Sequence, residues 1–298
     1  TKNAYARQCI KIMLRPKASH VFYTRLVTLI DNQNMKLPIT LLLLLFTLRV
    51  CGQANLERPF QDCNVQGSIT IYDYQAKKWT SSNINDSHTA TLPASTFKIM
   101  NTLIALETGV VADENEIVKW PGKTDTVKYG YRPDIYRDMS LREAFKLSAG
   151  WVYVALAKKI GKNRFKEFLT ASKYGNTDVS IDDPDFWNFG NFAISPANQV
   201  EILVGVYEET LPFSQRSFRI LKEMMKEEQT DSYTLRAKTG WTRDGGKDTG
   251  WWVGYVEKED NVYFFATRLI KDRRSPNPNF ASCRKEITRS VLRQLKVL

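Results

Sequence analysis

Strand-forming patterns in this sequence fall at two ends separated by a long helical stretch, and that segregation limits the folds open to it. Gly67-Ser-Ile-Thr-Ile-Tyr-Asp73 alternates as a half-buried strand does, and Lys77 to Thr80 returns as its hairpin partner. From Pro93 to about Met225 the period is helical, with Thr96 to Glu107 placing Phe97, Met100 and Ile104 on one face. Ser195-Pro196 is a cap followed by proline at the first helical position, opening a helix through Tyr207. Strand signal resumes at Thr234 to Lys238, Gly250 to Glu257 and Asn261 to Ile270, the last two joined by the turn Lys258-Glu-Asp260. Ser282 is expected to cap a final helix burying Ile287, Val291, Leu292 and Leu295. The pattern predicts an α/β protein of the α+β sandwich kind. An antiparallel sheet built from N- and C-terminal strands carries flanking helices, and a mostly helical subdomain packs against it.

The expected organisation is residues 1–34 as an upstream extension outside the fold, 35–52 as a signal peptide, and 53–298 as the catalytic body. Within that body the sheet part covers about 53–85 and 226–298, and the helical part about 86–225. Met35-Lys36 opens a basic region, and the apolar run Leu37 to Leu48 is too short to span a bilayer but fits a signal core. Val50-Cys51-Gly52 permits cleavage before Gln53, which predicts an exported, periplasmic protein. Lipid attachment at Cys51 is the alternative, although Arg49 is unlike a lipid-attachment motif.

The net charge of +11 suggests nucleic acid until it is divided. Residues 1–52 carry eight Lys/Arg and one Asp, so the rest of the chain is near +4 and has no nucleic-acid-binding motif. No sequence feature reports the oligomeric state. Cys63 and Cys283 lie near opposite ends of the body, where a disulfide and two free thiols are equally open. With only two histidines, His20 upstream and His88 in an expected surface loop, a Ser-His-Asp triad and a multi-histidine metal site are both excluded. A nucleophile here needs a different base.

Ser95-Thr-Phe-Lys98 is one of two Ser-x-x-Lys matches; the other, Ser282 to Lys285, reads as a helix cap with an exposed lysine. Residues three apart share a helix face, so Lys98 can reach the Ser95 hydroxyl at the positive end of the helix. A solvated lysine is protonated at neutral pH, whereas burial beside Phe97 lowers its pKa enough for it to act as a base or to take up CO2 as a carbamate. Ser148-Ala-Gly150 offers a second hydroxyl as a proton relay. Lys238-Thr-Gly240, the only such triplet, ends a strand whose edge can bind an extended substrate and whose following amide can donate to an oxyanion.

Together these motifs resemble the class D (oxacillinase-type) serine β-lactamases. The resemblance runs from about Asp62 to the C-terminus. It rests on Leu92-Pro-Ala-Ser-Thr-Phe-Lys98, Ser148-Ala-Gly150, Tyr174-Gly-Asn176, Phe186-Trp187, Lys238-Thr-Gly240, Gly250-Trp-Trp-Val-Gly254 and Arg284. It implies the fold of the penicillin-recognising serine enzymes, a β-lactam substrate, and no metal or organic cofactor. Ser95 would be the nucleophile, Lys98 as a CO2-derived carbamate the base, and Ser148 with Lys238 the relay to the leaving nitrogen. The amides of Ser95 and Trp241 would hold the oxyanion, Thr239, Gly240 and Arg284 the substrate and its carboxylate, and Trp187 the carbamate. The same motifs occur in β-lactam sensors and in penicillin-binding peptidases, which acylate and deacylate slowly.

Two positions depart from the family pattern. Gly150 stands where the second motif usually ends in Val, and Asn188 stands where Leu usually follows the tryptophan. Both substitutions are expected to admit water and polarity around Lys98. Trp251 and Trp252 read as core, Tyr174 to Asn176 as a structural turn, and Arg268, Lys271, Arg273 and Arg274 as a solvated basic loop. Gly240 to Lys247 lacks the spacing of a phosphate loop.

Overall fold

The computed structural model describes residues 54–180 and 182–298; the segments expected to be an upstream extension and a signal peptide, with Cys51, lie outside the described residues. Helix α1 (Arg58–Asp62) leads into β1 (Gln66–Asp73), β2 (Lys78–Ser81) and the one-turn α2 (Ile84–Ser87). A 3-10 turn over Ala94–Phe97 runs directly into α3 (Lys98–Glu107). The helical part continues with the short β3 (Ile117–Val118), α4 (Thr126–Tyr129), β4 (Met139–Ser140), α5 (Leu141–Leu147), α6 (Gly150–Ile160) and α7 (Lys162–Ala171). After a long loop come α8 (Pro196–Glu208) and α9 (Gln215–Met225), then β5 (Lys226–Gln229), β6 (Thr234–Asp244), β7 (Lys247–Glu257), β8 (Val262–Asp272) and α10 (Phe280–Gln294).

The sheet runs β2-β1-β8-β7-β6-β5 and every neighbouring pair is antiparallel. Its first and last strands in sequence meet because β1 pairs with β8 from Gln66↔Ile270 to Asp73↔Tyr263, which closes the body between distant parts of the chain. Strand side chains alternate between faces. Trp251, Val253 and Tyr255 therefore join Phe264 and Ala266 in the core shared with the helical part. Trp252 and Val256 join Phe265 and Leu269 beneath Ile287, Val291 and Leu292 of α10. The two adjacent tryptophans are both fully buried, on opposite faces.

Two expectations need correction. The last helix begins at Phe280 after Asn279, and Ser282 lies inside its first turn, where its hydroxyl donates to the Asn279 carbonyl at 3.1 Å. Arg268 and Lys271 are not part of a solvated loop. Arg268 is fully buried on β8, donating to the Thr89 and Asp86 carbonyls and pairing with the Asp86 carboxylate; Lys271 pairs with the buried Asp248 at 2.7 Å. Both lie on an ordered strand whose inner face selects position, and a run of basic residues does not reveal which of them point inward. Arg273 and Arg274 are exposed. Cys63 and Cys283 form a disulfide with Cα atoms 6.1 Å apart, joining α1 to α10.

Candidate active site

Ser95 sits in the 3-10 turn rather than in the first turn of the α-helix, which begins at Lys98. The turn is entered through Ala94, a non-glycine residue at φ 52°, whose N–H donates to the Trp187 carbonyl at 3.0 Å. Thr96 closes the turn by donating its hydroxyl to the Pro93 carbonyl at 2.7 Å, and buried Gln199 donates to the same hydroxyl at 2.8 Å. The local backbone is thus held from three sides. Lys98, 1% exposed, donates from Nζ to Ser95 Oγ at 2.9 Å. Burial lowers its pKa to about 8, and the nearby Asp185 carboxylate acts in the opposite direction.

A second amine–hydroxyl pair faces the first. Ser148, at φ 59° between α5 and α6, accepts a hydrogen bond at 3.0 Å from Nζ of Lys238 on β6. Lys238 also donates to the Thr239 carbonyl at 3.1 Å. Burial is the main cause that holds its pKa well below the usual lysine range, helped by the positive charges of Lys98 and Arg284. The strand can approach this closely because position 240 has no side chain. A Cβ there would stand 3.0 Å from the Pro93 carbonyl oxygen and 3.1 Å from Thr96 Cγ2.

Arg284 reaches over from α10 and donates from Nη1 to the Gly240 carbonyl at 2.7 Å; its burial lowers the guanidinium pKa to about 10. Gly250 on β7 makes room for it, since a Cβ there would be 3.0 Å from Arg284 Cδ. Trp241 is 38% exposed at the rim, its indole donating to Asp248 at 3.1 Å and packing against Phe280. Ser95, Lys98, Ser148, Thr239, Trp241 and Arg284 all line one cavity of about 570 Å³. Trp187 lies behind it, stacked on Phe97 with ring centroids 5.2 Å apart; its indole N–H is buried without a partner among the described residues. Gly240 lines the same cavity, and Lys238, which does not, reaches it through its hydrogen bond to Ser148. The one His/Cys/Asp/Glu group close enough to share an ion among the described residues is Cys63, Cys283 and Glu286, and both sulfurs are in the disulfide.

Residues 64–293 match the penicillin binding protein transpeptidase domain family. The chain is 38% identical to β-lactamase OXA-48 of Klebsiella pneumoniae over 80% of this chain and 87% of that one. The solved class D β-lactamase of Sebaldella termitidis is 42% identical, with a TM-score of 0.78 over 83% of this chain and 97% of the other. The class D enzyme YbXI from Nostoc gives 39% identity and a TM-score of 0.77, with 83% and 100% covered. The chain belongs to the class D serine β-lactamases. The sequence resemblance and the fold agree.

Within this class D enzyme the two departures take a definite form. Position 150 is open: a Cβ there would meet nothing within 4 Å. Asn188 is half-buried at the cavity, and its side-chain amide donates to Asp185 Oδ1 at 2.8 Å while its carbonyl accepts from Thr242 at 2.8 Å. Lys98 itself is buried, with its Nζ 5.0 Å from the ring centroid of Tyr153. Asp185 was not anticipated from the sequence. It is fully buried two residues before Trp187, in the run Asp-Asp-Pro-Asp-Phe-Trp. The one available signal was an acidic residue directly preceding two core aromatics, and the flanking acidic residues conceal it as part of a solvated turn.

Proposed function

We propose that this enzyme hydrolyses β-lactams through an ester at Ser95, with Lys98 as the base that carries both acylation and deacylation. The observation that supports this most directly is the 2.9 Å contact between Lys98 Nζ and Ser95 Oγ at a fully buried amine. The hydroxyl proton leaves toward the Lys98 end while Ser95 Oγ attacks the lactam carbonyl. Ser148 Oγ supplies a proton to the leaving nitrogen, and Lys238 orients Ser148 and keeps the local potential positive. The N–H groups of Ser95 and Trp241 hold the oxyanion, and Thr239 and Arg284 hold the substrate carboxylate. The reaction needs no metal or organic cofactor.

CO2 bound to Lys98 as a carbamate would supply a carboxylate-like base, and the site fits it because the buried Trp187 N–H has no partner among the described residues and is free to hold an anionic oxygen. Export to an oxidising compartment, the periplasm, is proposed with it; the Cys63–Cys283 disulfide supports that reading.

The test is turnover of a chromogenic cephalosporin in bicarbonate buffer, with intact mass followed after adding benzylpenicillin. Sustained turnover with a transient adduct, both lost in Ser95→Ala, is the expected result. A stable adduct without turnover would reassign the protein to the acylating, non-hydrolysing penicillin-binding class.

A further inference from the structure

Behind the nucleophile lie three buried polar groups whose hydrogen-bonding capacity is not filled. Lys98 Nζ makes one hydrogen bond among the described residues, to Ser95. Trp187 Nε1 and Asp185 Oδ2 make none among the described residues. Asp185 and Trp187 belong to the same loop, which is pinned to the Ser95 turn through the Ala94 N–H. The other oxygen of Asp185 is held by the Asn188 amide, at the position where this sequence departs from its family. No direct ion pair joins Asp185 to Lys98 among the described residues, yet the Lys98 ammonium is the foremost charge acting on that carboxyl. Burial pushes Asp185 up to about 7, against the pull of Lys98, Asn188, Tyr129 and Lys128.

We propose that Asp185 is a positioning residue that sets the charge of Lys98 and competes with CO2 for it. The idea rests on the carbamate reading above. Carbamate formation joins the lysine nitrogen to the CO2 carbon, turns one C=O bonding pair into an oxygen lone pair, and releases one amine proton to solvent. An ionised Asp185 opposes this twice: it favours the ammonium over the reactive neutral amine, and it repels the product anion. A protonated or neutral residue at 185 lifts both obstacles. The charged and titratable groups facing the pair are Lys128 and Tyr129 from α4, Tyr153 from α6 and Lys238 from β6. Among the charges acting on Lys98, Asp185 alone favours the ammonium.

The experiment is a 13C NMR titration of the purified protein with 13C-bicarbonate at pH 7.5, the carbamate signal being assigned by its loss in Lys98→Met. Asp185→Asn removes the charge and keeps the shape, so its bicarbonate midpoint is expected to fall at least about threefold, because a one-unit drop from a lysine pKa of about 8 roughly triples the neutral amine at pH 7.5. Asn188→Ala, at a half-buried position less prone to misfolding, withdraws the donor that favours the ionised carboxylate and should shift the midpoint in the same direction by less. A merely structural role for Asp185 predicts the opposite sign, since a loosened site binds CO2 more weakly. Equal or raised midpoints in both variants overturn the proposal and leave the carbamate reading intact. No signal in any protein at saturating bicarbonate removes both, whatever the turnover assay gives.

Discussion

At the residue scale the site is defined by a lysine kept where an ammonium is costly. Lys98 has its pKa lowered from 10.5 to about 8, first by burial. Below about pH 8 the folded protein must therefore hold a charge that the unfolded chain hydrates freely. That cost is complete at low pH and disappears as pH rises from about 8 to 10.5, where both states lose the proton. At pH 6 Asp185, pushed up to about 7, keeps its proton, so removing the lysine strands no carboxylate. Lys98→Met is then expected to abolish turnover while stabilising the fold at pH 6 by up to about 3 kcal/mol. Urea denaturation at pH 6 and pH 10.5 checks this; a gap that failed to narrow at the higher pH would count against the linkage. Ser95 and Lys98 were legible because i and i+3 spacing needs no tertiary information. Asp185 was not, because its partners Lys98, Tyr129 and Lys128 come from two other elements.

At the scale of elements, the catalytic arrangement is a strand laid against a 3-10 turn, and Gly240 sets the gap. Strand β6 carries Lys238 toward Ser148 only while Gly240 can rest against Pro93 and Thr96. Gly240→Ala would press a methyl onto a backbone carbonyl that cannot rotate away, moving the strand by a few tenths of an ångström. The expected result is a loss of kcat/KM of at least about tenfold with a stability cost of about 1–3 kcal/mol, the usual range for overpacking. Steady-state kinetics beside a thermal melt would separate the two effects; unchanged kcat/KM in a folded variant would show that the approach is not required. The sequence announced the strands through their period of two and the helices through theirs. It did not announce where the 3-10 turn hands over to α3, since both share i and i+3 neighbours, nor that Arg268 points into the protein.

For the whole molecule, the question is what keeps two distant ends of the chain on one sheet. The pairing of β1 with β8 does so along their length, and the Cys63–Cys283 disulfide does so at one point, across 220 residues. Closing a loop of that length restricts the unfolded chain by about 5 kcal/mol in the chain-entropy picture, near the upper end of what disulfides deliver. The bridge also sits beside the site, because Cys283 precedes Arg284 on α10. That helix does not depend on the sulfur for its place. Ile287, Val291 and Leu292 are buried under the sheet, and Thr288 meets Thr267 of β8 at 2.6 Å. Reduction should therefore act on the unfolded state more than on the folded one. Treating the protein with a dithiol is expected to lower Tm by roughly 10–20 °C, given about 2–4 °C per kcal/mol at this size. At 25 °C kcat and KM should both stay within about twofold, a change of no more than about 0.4 kcal/mol. If KM instead rose tenfold or more well below the melting range, with kcat unchanged, the disulfide would be acting on the folded state by holding Arg284 over the Gly240 carbonyl.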